Sequence, residues 1–194
     1  PGMKIRFDGG QAYQLDAMAA VLDLFEGQPL AAGTFEFSLQ ATADSGGLFS
    51  ELGRGNRLLL DDEALFANLR RVQQRNGVEP AAELAGRHFS VEMETGTGKT
   101  YVYLRTIHEL HRRHGFGKFI IVVPSVAIRE GVLASLRLTR EHFAALYGNA
   151  PVDAWAYDSK QVSKLRQFAA ANTLQVLVIN IDAFNKPSNN VIHR

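Results

Sequence analysis

Residues 88–104, HFSVEMETGTGKTYVYL, constrain this chain more than any other stretch. An alternating apolar segment runs into a glycine-containing loop, which closes on Gly98-Lys99-Thr100 and opens a segment of helical character. Backbone that turns sharply between a strand and a helix needs residues tolerant of positive φ, and Gly96 and Gly98 supply them. The phosphate-gripping pattern is G-x-x-x-x-G-K-[ST]. Met93 stands at its first position, so the strict form is broken there while the physical requirement is kept. Across Thr95, Gly96, Thr97 and Gly98, successive N–H groups and the N-terminus of the next helix can face a β-phosphate. Lys99 reaches the β/γ oxygens, and the Thr100 hydroxyl is placed to coordinate Mg²⁺. The bland alternative is a glycine-rich turn that only starts a helix; strand, loop and helix in mechanistic order favour a nucleotide site, with ATP and Mg²⁺ as its cofactors.

The rest of the second half keeps the same rhythm. FIIVV (119–123) is an unbroken apolar strand, followed by Pro124-Ser125 and a helical pattern reaching about Tyr147. VDAWAYD (152–158) reads as a strand, 159–172 as a helix and QVLVINI (175–181) as a buried strand. Strands separated by helices imply βαβ units, hence an α/β fold with a doubly wound parallel sheet and flanking helices. In the first half, apolar spacing predicts a helix over 12–27 that closes on Gly27, and a second from Asp61 to Asn76-Gly77. Between them TFEFSL (34–39) alternates as a strand, and SGGLFSELGRGN (45–56) reads as turn material, together a small β-hairpin excursion.

Composition excludes little but does so cleanly. With 21 basic and 20 acidic side chains in 194 residues, bulk charge argues for neither nucleic acid nor membrane, so a basic binding surface must be local. The absence of cysteine removes disulfides and thiolate metal sites and fits a reducing compartment. No apolar run is long enough for a membrane span, and the reading is a cytoplasmic chain. Pro1-Gly2 ahead of Met3 look like an expression remnant.

Two stretches offer a carboxylate for the metal. RLLLDDEAL (57–65) has the form of a strand ending in acids, but Asp61 ahead of ALFANLRRV reads better as an N-cap with acidic first-turn residues. Asp182 follows a buried strand at the end where doubly wound sheets place ligands. A metal carboxylate and a loop-structuring or nucleic-acid-facing role both stand for it.

In order along the chain, YQLDAMAAVLDLFEG, LLLDDEALFANLRRVQQRNG, FSVEMETGTGKTYVYLRTI, FIIVVPSVAIREGV and LVINIDAFNK resemble the N-terminal motor region of superfamily 2 helicases. The likeness is in particular to the Res subunit of type III restriction-modification enzymes. It implies a RecA-like P-loop NTPase fold, with 3–84 as the N-terminal helices and hairpin of the first motor lobe and 85–194 as the N-terminal part of its nucleotide-binding core. Gln14 then matches the adenine-reading residue of the Q-motif. Ser125 and Arg129 in PSVAIREG, and Asn180 and Lys186 in NIDAFNK, match positions that face the DNA strand. The family implies a hydrolase that moves on double-stranded DNA at the expense of ATP, bound to a modification (methyltransferase) subunit, with cleavage in a separate nuclease domain. No acid pair of motif II appears before Arg194, so the resemblance implies a lobe incomplete at its C-terminus, with the nucleotide cradle but not the full catalytic set, inactive alone.

Two other readings are carried beside it: a different superfamily 2 motor, such as a type I restriction subunit, and a complete small P-loop switch using Asp182. Each site residue also has a plainer meaning. Gln14 can be a surface helix residue, Ser125 and Arg129 a solvated helix start, Lys186 loop surface. His108, His111, Arg112, Arg113 and His114 read as a solvated helix end favoured by the dipole, and Trp155 and Tyr157 as core.

Overall fold

A computed structural model describes residues 7–40, 48–158 and 161–182, so Pro1-Gly2 and Lys186 lie outside the described residues. The chain forms two compact units, Pro1–Leu30 with Leu58–His114 and Ala31–Arg57 with Gly115–Arg194.

The first unit is helical. Helix α1 (Ala12–Leu22) buries Met18 and Leu22 and runs into a 3-10 turn, Asp23–Phe25. Helix α2 (Asp62–Arg75) starts at Asp61, whose carboxylate accepts from Ala64 N at 2.8 Å, with Asp62 and Glu63 in the first turn. The acids of RLLLDDEAL are thus a helix cap, as their position before an apolar-periodic run requires. Asn68 on α2 is buried and donates to Leu24 O (3.0 Å) and Glu26 O (2.9 Å), answering carbonyls that the end of the 3-10 turn leaves open. Helix α3 (Lys99–His114) begins and ends where apolar spacing places it, burying Val102, Leu104, Ile107 and Leu110.

The solvated helix end expected at 108–114 holds for Arg112 and Arg113, which are exposed, and is corrected at His114. His114 continues the stripe of Ile107 and Leu110 and is buried, with Nδ1 2.9 Å from Gln28 O. A carbonyl only accepts, so Nδ1 carries the proton. Arg112 and Arg113, one turn beyond the buried Glu109, both bond its Oε2, at 2.6 and 3.1 Å. The strand expected at 88–93 is also absent: these residues join no ladder among the described residues, and Val91 is 46% exposed. An inner parallel strand must be apolar on both faces, whereas His88, Ser90 and Glu92 make every second position here polar.

The second unit carries the sheets. Strands β1 (Ala32–Gln40) and β2 (Leu48–Asn56) pair antiparallel from Ala32↔Asn56 to Gln40↔Leu48. Residues 48–56, expected as turn, are therefore strand: Gly53 and Gly55 sit in the ladder, where a Cβ on their neighbour Gly33 would already lie 3.2 Å from Gly55 O. Strands β3 (Lys118–Val123), β4 (Val152–Ala156) and β5 (Leu174–Asn180) form a parallel sheet in the order β3-β5-β4. β5, central and buried from Leu174 through Ile179, is apolar on both faces except for Gln175.

The long helix expected after β3 is two, α4 (Val126–Leu138) and α5 (Arg140–Tyr147). They part at Thr139, whose hydroxyl bonds back to Ser135 O at 2.8 Å. Helix α6 (Val162–Ala170) lays Leu165 and Phe168 over Trp155, Tyr157, Leu177 and Ile179, so the two aromatic residues of β4 and its exit are core. Lys118 ties α6 to the sheet. Its Nζ donates to Phe168 O and, at 2.6 Å, to Ala171 O, answering the carbonyls of the helix end, and burial holds its pKa below the ordinary lysine range.

One titration follows from the core of the first unit. Burial of the His108 side chain, carried on α3, lowers its pKa from 6.5 to about 4, His111 adding to the shift and Glu109 opposing it. The folded chain thus favours the neutral ring, and this contribution is complete above the ordinary value and lost as pH falls towards 4. Between pH 7 and pH 4 wild type should lose up to about 3 kcal/mol through this group. His108→Gln should show a correspondingly smaller fall in melting temperature over the same range, read by circular dichroism.

Candidate functional site

α2 and α4 answer their own first amides, through Asp61 on Ala64 N and through Ser125 Oγ on Ile128 N at 3.2 Å. α3 does not. Its first helical bond runs from Val102 N to Gly98 O at 3.1 Å, and a glycine at that position has no side chain to offer the amides that follow. The positive end of a long helix is therefore presented at a loop rather than closed by one.

The loop is shaped by two left-handed residues, Gly96 at φ 83° and Gly98 at φ 85°. Inside it, the Glu94 carbonyl accepts both Thr97 Oγ1 and Lys99 Nζ, each at 2.7 Å. Lys99 is exposed and folds back along the loop. Thr100, in the first turn of α3, shares a side-chain hydrogen bond with Tyr103 one turn on. Burial raises the Tyr103 pKa, and this bond opposes the rise.

Gln14, three residues into α1, belongs to this cluster: its Nε2 donates to Thr97 O at 2.9 Å. A Cβ built on Gly98 would stand 2.7 Å from that nitrogen, whereas one on Gly96 meets nothing within 4 Å. The segment leading into α1 is fixed to α3 as well, by Arg105 Nη1 on Gly9 O at 2.6 Å and by Phe7 stacked on Tyr101 with ring centroids 5.9 Å apart. The residues from Thr95 to Thr100 and Gln14 thus converge on one loop. Tyr103 joins them unannounced by any motif, its signal lying in spacing alone, one helical turn from Thr100; Glu94, inside the loop pattern, contributes its backbone carbonyl.

In the second unit, Val123 pairs with Asn180 and Ile181 N bonds Val123 O at 2.9 Å, so the ends of β3 and β5 lie side by side. This edge gathers Ser125, Arg129 and Asn180. Ser125 caps α4, and Arg129, in its first turn, holds Glu130 Oε1 through Nη2 (3.0 Å) and Nε (3.2 Å). Asn180 Oδ1 accepts from Asp182 N at 3.2 Å. Asp182 is exposed, and among the described residues no cluster of three or more histidines and acids is arranged to hold a metal.

Over residues 11–193 the chain matches the family model described as Type III restriction enzyme, res subunit. It is 38% identical to the type III restriction-modification enzyme StyLTI Res subunit of Salmonella typhimurium over 118 aligned positions, which cover 52% of this chain and 12% of that protein. It is 38% identical over 91 positions to the EcoPI Res subunit of Escherichia phage P1 and 37% over 91 to the EcoP15I Res subunit of Escherichia coli, each covering 44% of this chain and 9% of the relative. The matched stretch spans about a tenth of the length of these relatives. The family resemblance carried by the order of the motifs is borne out, and with it the P-loop α/β fold.

The two glycines of the loop should respond unequally to a methyl group. Gly96→Ala bears only the cost of a left-handed alanine, about 1 kcal/mol, or roughly 2 to 4 °C in melting temperature. Gly98→Ala bears that cost and the displacement of Gln14 besides, and thermal denaturation should place it clearly below Gly96→Ala.

Proposed function

We propose that this chain, which belongs to the family of type III restriction enzyme Res subunits, binds Mg-ATP at Thr95–Thr100 as the nucleotide-binding part of an ATP-dependent DNA motor. The observation that carries the reading is the start of α3: a long helix opens from a glycine, without a cap, on a loop of two left-handed glycines with an exposed ammonium beside it. That arrangement offers oriented N–H donors and a mobile cation, which is what a chain of phosphates needs.

In this reading residues 3–84 lead into a nucleotide-binding core that starts near 85. Lys99, now on the Glu94 carbonyl, would serve the β- and γ-phosphate oxygens, and the Thr100 hydroxyl would hold Mg²⁺; these two are the catalytic residues of the stretch. Mg²⁺ supplies neutralisation of charge across the β- and γ-oxygens when bound. Gln14 lies beside the loop, where an adenine-reading amide belongs. Ser125, Arg129, Asn180 and Lys186 contact the DNA backbone, each offering a donor to phosphate oxygens. The whole protein would act on double-stranded DNA in the cytoplasm together with a modification subunit, in keeping with what its relatives are called. Among the described residues no helix is long and apolar enough to cross a membrane.

Nucleotide binding is tested by thermal shift. At ligand near one hundred times Kd, mass action stabilises by about 2.7 kcal/mol, so Mg-ATP should raise the melting temperature by roughly 5 to 10 °C. Lys99→Ala should abolish the shift without unfolding the chain, and an equal shift in both proteins would refute the assignment.

DNA contact is tested by salt. Two or three neutralised phosphates give a slope of log K against log salt of roughly −1.4 to −2 on a single strand. Arg129→Ala with Lys186→Ala should flatten that slope and leave the Mg-ATP shift intact; an unchanged slope would remove both residues from the interface.

A further inference from the structure

We infer that Gln175 is a positioning residue: it sets the register of β5 against β3 and β4, and through that register the place of Asn180 at the opposite end of the sheet. The inference rests on the second unit alone and not on the reading of the phosphate loop. Gln175 is fully buried and is the one polar residue in the run 174–179, LQVLVI. It stands opposite Lys118 on β3 and Asp153 on β4, so the three form a row across the sheet. Its Nε2 donates to Asp153 Oδ2 at 2.8 Å and to Thr173 Oγ1, which in turn donates to the same Asp153 oxygen at 3.0 Å. Lys118 turns its ammonium to Phe168 O and Ala171 O, so the amide is anchored on the β4 side.

A central strand that is apolar on both faces carries little register information of its own, because register follows from a pattern that puts apolar side chains inside and polar ones outside. In β5 a slip of two residues keeps each side chain on its face and exchanges one apolar residue for another. Gln175 is the exception. Moved one way, its amide takes the place of Leu177 in the cluster beneath Leu165 and Phe168 of α6. Moved the other way, it passes the start of β3 and Leu177 comes to face Asp153. Either slip parts a buried amide from its acceptors, which costs its full desolvation. Stability alone is a poor reason to keep an amide here. Gln175 Oε1 is buried and accepts no hydrogen bond among the described residues, a cost that an apolar side chain of similar volume would not carry. A buried polar group that pairs in only one alignment is best attested as a device that fixes register.

The alignment decides what the far end of the sheet presents. With Gln175 opposite Lys118, Asn180 falls opposite Val123, and Ile181 N reaches Val123 O at 2.9 Å. A slip of two residues would carry Asn180 about 7 Å along the strand. It would then stand out of line with Val123, and so with Ser125 at the start of α4.

The chain has no cysteine, so an introduced pair reports register without competition. Val122→Cys with Ile179→Cys joins direct partners of the observed ladder. Val122→Cys with Ile181→Cys joins positions two residues out of register, roughly 8 Å apart and beyond the reach of a disulfide until β5 slips. Both pairs are oxidised in the 194-residue chain with Gln175 kept, and with Gln175→Met, Asp153→Leu or Asp153→Asn, the rate of cross-linking being read by mass spectrometry of the joined peptides. Gln175→Met and Asp153→Leu should speed the out-of-register link about fivefold, the ratio that one neutral hydrogen bond supports, and leave the in-register link unchanged. Asp153→Asn, which keeps an acceptor for the amide, should speed neither. Should Gln175→Met fail to fold, Asp153→Leu against Asp153→Asn carries the comparison. An out-of-register rate equal in all four backgrounds would overturn the inference. A rise shared by both cysteine pairs would mean a loosened sheet and not a slip, and would overturn it too, as would a rise in Asp153→Asn matching that in Asp153→Leu.

Discussion

A helix that starts at glycine gives up the cheapest way of satisfying its first amides, and the first unit is organised around that omission. Capping by Asp or Ser is worth about 1 kcal/mol, and α2 and α4 both take it, through Asp61 and Ser125. At α3 the corresponding residue is Gly98, whose φ of 85° favours glycine. Oriented amides at the positive end of a long helix are what the proposed anion site would draw on. Around them the loop is closed by its own backbone: both lone pairs of the Glu94 carbonyl are taken, by Thr97 and by Lys99. A phosphate that drew Lys99 away would leave Thr97 still holding the turn.

The second unit makes a comparable division between the two ends of its parallel sheet. At the N-terminal end, polar groups are spent on one another. Asn56 accepts from Gly117 N and Lys118 N and donates to Lys118 O, standing in for one residue of a further strand and tying the hairpin to β3. Asp153 accepts from Thr173 and from the fully buried Gln175, and Lys118 closes the end of α6. At the opposite end β3 and β5 run directly into a helix start and a turn, which is where an open α/β sheet carries its ligands. One end is pinned and the other presents loops.

How much of this could be read from residues alone depended on whether a signal was local. The bounds of α3, the strands β3 and β5 and the cap at Asp61 are set by side chains within a turn of where they act, and the sequence reading placed them. The break at Thr139 turns on one hydroxyl bonding back to Ser135, which a helical apolar pattern running through both halves conceals. The strand Leu48–Asn56 is glycine-rich and is held by its partner across the hairpin, not by its own propensity. His114 looked solvated because its neighbours are charged, although its spacing from Ile107 and Leu110 already put it on the buried face. The stretch 88–93 alternates as a strand should, but alternation describes a half-buried strand and carries no partner with it. At the site, glycines and lysine were legible by type; the bond from Gln14 to Thr97 O was not, because no pattern in the sequence reveals which backbone carbonyl an amide will reach.

The residues gathered at the ends of β3 and β5 share a property that bears on the ligand they suit. Ser125 and Asn180 are engaged by the protein through an acceptor, Arg129 through two of its donors, and each keeps a donor. Ser125 caps α4 with a lone pair, and its hydroxyl proton is not used in that bond. Asn180 takes Asp182 N on its oxygen and retains its NH₂. Arg129 gives Nε and Nη2 to Glu130, and a guanidinium has further N–H groups on its other terminal nitrogen. The donors left over at Ser125, Arg129 and Asn180 are what the proposed contact with an acceptor-rich ligand such as a nucleic-acid backbone would draw on. Glu130 sits beside Arg129 and offsets its charge in the free chain.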